Sequence, residues 1–180
     1  MPELPNRRSI RLPGYDYAGP GSLFFTFCSQ NRFDFFGSVV NAEMRLNATG
    51  DLVWREWERT NEICKELLAH AFIVMPNHVH GLISLAPVEG TVSPPPEPGA
   101  NLPLHARKRP RSLSSMATGF KSAVTSVMRK RTGNEYLKLW QTNYYEHIVR
   151  DERDFDSIYS YIVENPKRWE EDRFNPNRRE

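Results

Sequence analysis

Two histidines one residue apart, His78-Val79-His80, form the first group in this chain whose type and spacing could do chemistry. Their neighbours are apolar and suit a β-strand, in which alternate side chains share a face. Both imidazoles then point the same way, with Val79 behind them, and make a two-point clamp for a divalent cation. Surface histidines with no such role can carry the same spacing. A second group lies near the C-terminus. Phe155, Ile158, Tyr159 and Ile162 recur at helical spacing and read as a buried stripe that includes Tyr159. Tyr161 lies off that stripe, and Asn165, four residues on, projects from the same side of the helix end. A tyrosine can act as a nucleophile and an amide as a metal ligand. The alternative is a surface tyrosine followed by a helix-capping asparagine.

The third group is a concentration of charge. Residues 105–140 hold nine cations, Arg107, Lys108, Arg109, Arg111, Lys121, Arg129, Lys130, Arg131 and Lys138, against the single acid Glu135. This segment is +8 within a chain of net charge +2, so the remainder is −6. Clustering of this kind suits a face that binds nucleic-acid phosphates, while a solvated helix face is the plainer reading. Phe33, Phe35 and Phe36 could stack on unpaired bases, although aromatic residues in such a domain more often belong to the core.

These groups need elements to position them. Ser22–Cys28 reads as a buried strand, and Val39–Leu46 as a weaker one. Thr49 precedes a helix with Val53, Trp57, Thr60, Cys64 and Leu67 on one face. Strands follow over Ala71–Met75 and His78–Leu85, with Pro76-Asn77 as the turn between them. Ser112 suits the cap of a helix that places Leu113, Met116, Phe120, Val124 and Val127 on one face. Strand and loop are expected over Leu137–Trp140 and Tyr144–Val149. A last helix begins near Asp151 and ends near Glu164, because Pro166 disfavours helical geometry at Asn165. Strands outnumber crossover helices, which predicts an α+β fold with a mostly antiparallel sheet.

The length of 180 residues predicts one domain. Residues 1–20 read as an extended arm, 21–170 as the domain and 171–180 as a tail. The stretch 87–104, with six of the fourteen prolines, reads as a long loop inside the domain. Cys28 and Cys64 are too few for a disulfide framework and read as reduced core thiols, which fits a cytoplasmic protein. No stretch approaches the 18 apolar residues of a transmembrane helix, and no apolar segment follows Arg7-Arg8 as an export signal requires.

Taken together, the motifs match a known pattern. The run Val74-Met75-Pro76-Asn77-His78-Val79-His80-Gly81-Leu82-Ile83 resembles the HUH motif region of the single-tyrosine transposases. Trp140-Gln141, Tyr145-Glu146-His147-Ile148-Val149-Arg150-Asp151 and Tyr161-Ile162-Val163-Glu164-Asn165-Pro166 resemble their C-terminal signature. The Tyr-Ile-x-x-Asn-Pro variant looks most like the REP-associated tyrosine transposases, and the resemblance runs from about Arg8 to Trp169. The proline-rich stretch is longer than that family's usual connection. The resemblance implies a ferredoxin-like, RRM-like sandwich with the histidines on a central strand and Tyr161 facing them from a C-terminal helix. It implies Mg²⁺ or Mn²⁺ held by His78, His80 and Asn165. It also implies cleavage and rejoining of single-stranded DNA at hairpin-forming repeats through a 5′-phosphotyrosine at Tyr161, by a monomer or homodimer. The basic segment would then track the DNA backbone, and the histidines would line an open site without supporting the core. Two other classes fit parts of the sequence. One is a domesticated, non-cleaving DNA-binding protein. The other is a metal-dependent hydrolase with a water nucleophile, for which His70, His105 and His147 are too scattered to complete a ligand set.

Overall fold

The computed structural model describes residues 21–85 and 112–178. Gly21–Cys28 forms β1, Gly37–Val40 β2, Glu43–Leu46 β3 and Ala48–Ile63 α1. Leu67–Met75 forms β4, His78–Leu85 β5 and Leu113–Thr132 α2. Tyr145–Ile148 forms β6, Glu152–Glu164 α3, and a 3-10 segment Asn165–Glu171 continues from it. The main sheet has the order β4-β5-β1-β6, with every neighbouring pair antiparallel. With α1 after β1 and α2 after β5, this is the βαββαβ order of a ferredoxin-like unit. The β2–β3 hairpin is inserted before α1, and α3 is added at the end.

Strand alternation divides the molecule into two faces. Leu23, Phe25 and Phe27 of β1 and Val79, Ile83 and Leu85 of β5 pack with Val53 and Trp57 of α1 and Phe120 and Val124 of α2. Phe24 and Leu82 point the other way and meet Ile162 of α3, flanked by Phe155, Ile158 and Tyr161. His78 and His80 alternate with Val79, so they share the α3 face. Gly81, next to His80, is required by the packing of the opposite face: a Cβ there would lie 2.2 Å from Cζ of Phe25. Gly81→Ala is expected to cost about 1–3 kcal/mol through overpacking. The check is a lowered denaturation midpoint at unchanged m-value.

The helix starts follow capping chemistry. Oδ1 of Asn47 accepts from the Thr49 and Gly50 amides at 2.9 and 3.0 Å, so α1 starts before Thr49. Ser112 caps α2 in a reciprocal arrangement with Ser115, and Gly133 ends it in the left-handed conformation. Asp151 caps α3 by accepting from the Asp154 amide at 2.9 Å.

Several expectations need correction. The single strand expected over 39–46 is a hairpin, because Asn41 and Ala42 both adopt positive φ and reverse the chain. Of Leu137–Trp140, only Trp140 makes a bridge, to Ser29. Cys64 caps the end of α1, and Leu67 already belongs to β4. Tyr159 is 44% exposed and outside the core; the buried side of α3 runs through Phe155, Ile158 and Ile162 to Tyr161. Phe36 is fully buried against Trp140, so it offers no surface to a base, whereas Phe33 is exposed. Residues 171–178 do not hang free as a tail, since Asp172 and Phe174 are buried.

Candidate metal centre and nucleophile

The two-residue turn at Pro76-Asn77 fixes the start of β5, and the centre is assembled beside it. His78 lies opposite Cys28 and Met75, and His80 opposite Thr26 and Ile73. Their Nε2 atoms are 3.0 Å apart. Asn77 sets the tautomer of His78. Its Nδ2 donates to the Phe174 and Arg32 carbonyls at 2.8 and 3.2 Å, so its Oδ1 accepts from His78 Nδ1 at 2.9 Å. Nε2 of His78 is thereby left with a free lone pair. On the other ring, Thr26 Oγ1 lies 2.8 Å from His80 Nδ1. When that hydroxyl accepts, the two Nε2 lone pairs face each other, an arrangement that a cation satisfies.

Both imidazoles are fully buried. Phe174 lies over them, with ring centroids 4.5 Å from His78 and 6.1 Å from His80. This corrects the expectation of an open site, because the 3-10 segment and Phe174 fold back over β5. Burial, with Arg173 adding, pushes His80 down to about 3. Burial first, then His80, Arg173 and Arg32, holds His78 well below its usual range. Neutral imidazoles are the form that binds metal.

Asp172 is the residue the sequence reading missed. Its carboxylate and the two imidazoles offer ligand atoms within 4.8 Å of one another. The Phe174 amide donates to its Oδ1 at 2.7 Å, and Asn165 Nδ2 donates to its Oδ2 at 3.1 Å. Asn165 Oδ1 is buried without any hydrogen-bond partner. An orphaned acceptor costs free energy unless something binds it. Two neutral imidazoles, a carboxylate and an unpartnered amide oxygen therefore fit a divalent cation.

Tyr161 completes the group. Its hydroxyl is 3.2 Å from His80 Nε2, and its ring packs edge-on against Phe24 at 6.1 Å. Burial, with the Asp172 charge adding, raises its pKa, while Arg173 and the neighbouring Asn165 amide oppose the rise. His78, His80, Tyr161 and Asn165 are thus brought together from β5 and the end of α3.

No family model matches this chain. An uncharacterised protein of Haemophilus influenzae is 39% identical to it over 173 residues, covering 93% of this chain and 92% of that protein. The chain belongs to the same family as that protein. Among solved structures, a REP-associated tyrosine transposase bound to a REP hairpin superposes with a TM-score of 0.57 at 17% identity. The match covers 90% of this chain and 74% of the transposase. The chain therefore has the REP-associated tyrosine transposase fold.

In this transposase-like fold the described basic residues of α2 belong to the helix that packs on the sheet face opposite the histidines. Arg107, Lys108, Arg109 and Arg111 fall outside the described residues. Lys121, Arg129 and Lys130 of α2 line a groove of about 810 Å³ with Gln30, Gln141 and Tyr144. Lys121 is engaged internally: Nζ donates to the Gln141 carbonyl at 2.7 Å and lies over the Phe27 ring, and burial lowers its pKa to about 8. Arg129 donates to the Leu137 carbonyl at 3.2 Å but remains exposed, as do Lys130 and Arg131. No described helix is long and apolar enough to cross a membrane.

Proposed function

We propose that this chain is a metal-dependent, single-strand DNA nuclease and strand-transferase of the REP-associated tyrosine transposase kind, with Tyr161 as its nucleophile. The observation that carries this reading is the Tyr161 hydroxyl 3.2 Å from His80 Nε2, beside the His78–His80–Asp172 set. His78, His80 and Asp172, with Asn165 Oδ1, would hold Mg²⁺ or Mn²⁺. That cation, when bound, supplies positive charge that polarises the scissile phosphate.

The chain's own residues account for the rest. Asn77 and Thr26 orient the imidazoles through their Nδ1 atoms. Phe24 and α3 place the phenol ring against His80, with ring centroids 5.1 Å apart. Attack by Oη of Tyr161 forms a Tyr–O–P bond as the P–O3′ bond breaks. The phenol loses its proton, and the departing 3′ oxygen gains one. The 5′-phosphotyrosine keeps the energy of the phosphodiester, so a 3′-OH can reverse the step and join strands without ATP. Hairpin-forming repeats are the proposed substrate, because the fold neighbour was solved with such a hairpin. DNA chemistry and two free thiols suit a cytoplasmic setting.

The test is incubation of a labelled single-stranded hairpin with the protein, Mn²⁺ or EDTA, and denaturing electrophoresis. The proposal expects a protein-linked band that needs Mn²⁺. Cleavage with no linked band would instead select the hydrolase reading, since a His–His–Asp set can also serve a water nucleophile.

The exposed cations give a separate prediction. Changing Arg129, Lys130 and Arg131 to alanine is expected to weaken single-strand binding and flatten its log–log salt dependence by about 0.7 per lost phosphate contact. Thermal stability should hardly change. Lys121→Ala should instead lower stability, because its ammonium holds the 141–142 loop. Affinity measured at several salt concentrations, with a melting curve for each variant, checks both statements.

A further inference from the structure

Two arginines that no motif marks stand beside the centre. The Arg32 guanidinium lies 5.1 Å from the centroid of Phe174, and that of Arg173 lies 4.8 Å from it. Arg173 also reaches to 5.9 Å of the Tyr145 ring. Phe174 is the same ring that covers His78, so the aromatic cover carries both cations. Both arginines are exposed, and among the described residues neither has a carboxylate partner. Arg32 is held in an unusual backbone state, with Asn31 and Arg32 at φ 55 and 57. Its carbonyl is anchored by the Asn77 amide that also orients His78. Strain of this kind persists where the surroundings impose it, often at working sites.

Two guanidiniums held against the ring that covers His78 would repel a cation bound there. Two cations with no carboxylate partner among the described residues, beside a cation site, make chemical sense when an anion is to lie between them. We propose that Arg32 and Arg173 form a phosphate clamp that grips the non-bridging oxygens of a DNA phosphate against the His78–His80 centre. Stacking on Phe174 pre-orders the guanidiniums, and the clamp rests on the DNA-cleavage reading above. Arg173 is next to buried Asp172, so the residue that completes the ligand set also fixes one arm of the clamp.

The test uses Arg32→Gln, Arg173→Gln and the double variant in the full chain. Without DNA, Mn²⁺ affinity read by manganese spin resonance should rise about two- to tenfold, because repulsion is removed. With DNA and Mn²⁺, the rate of protein–DNA adduct formation should fall about 10- to 100-fold. In EDTA, where no cleavage occurs, binding of an eight-nucleotide single strand should weaken by a similar factor. If wild type forms no adduct yet the variants lose binding in EDTA, the cleavage reading fails and the clamp stands. An adduct rate and EDTA binding equal to wild type in the double variant would overturn the clamp. A parallel fall of Mn²⁺ affinity and melting temperature would also overturn it, by showing that the arginines only support the fold.

Discussion

Tyr161→Phe should leave the protein folded and able to bind single-stranded DNA while its covalent adduct disappears. Deletion of a nucleophile costs on the order of 10⁴- to 10⁶-fold in turnover. The ring is retained, so its edge-on contact with Phe24 survives. The 3.2 Å hydrogen bond to His80 is lost, worth about 1 kcal/mol. Tyr159→Phe is the matched control, because that side chain is exposed and lies off the buried side of α3. Single-turnover adduct formation, with a melting curve for each variant, separates the two tyrosines.

The second large effect belongs to the metal ligands. Wild type should gain thermal stability as Mn²⁺ is added, by about 2.7 kcal/mol at a hundred times the dissociation constant. His80→Gln and Asp172→Asn should reduce that gain and lower Mn²⁺ affinity at least about 10- to 100-fold. Adduct formation should fall with it. His78 and His80 are fully buried, so alanine there also leaves a cavity, and glutamine is the better probe at His80. Asn165→Ala removes the orphaned Oδ1 and should weaken Mn²⁺ binding, and it should also lower stability by about 1 kcal/mol because the Nδ2 bond to Asp172 is lost. Calorimetric titration of each variant with Mn²⁺ measures the affinities directly.

What the sequence revealed follows from short-range periodicity. The two-residue period of a strand put His78 and His80 on one face, and helical spacing put Tyr161 and Asn165 on one side of α3. Capping chemistry marked Ser112 and Asp151. Tyr159 was misplaced because a four-residue stripe can be centred on either flank of a helix, and the sheet receives the flank that carries Tyr161. Asp172 escaped notice because it reaches the histidines only after the 3-10 segment Asn165–Glu171 turns the chain back. No period connects it to them. Arg32 was hidden for a related reason. Its position depends on two consecutive left-handed residues, which a sequence of non-glycine residues does not advertise. The hairpin at Asn41-Ala42 was missed on the same account. The pairing of β1 with β5 and β6, which creates the floor of the centre, is non-local and carries no spacing signal.

The most direct test of the account is the chemical identity of the DNA-linked residue. The protein would be incubated with a single-stranded hairpin and Mn²⁺, the DNA trimmed by nuclease and the protein digested for mass spectrometry. The account predicts one modified peptide, with a nucleotide 5′-phosphate on the phenolic oxygen of Tyr161, absent in EDTA and absent when His80 is replaced by glutamine. Attachment at any other residue, or hairpin cleavage with an unmodified Tyr161 peptide throughout the reaction, would contradict it.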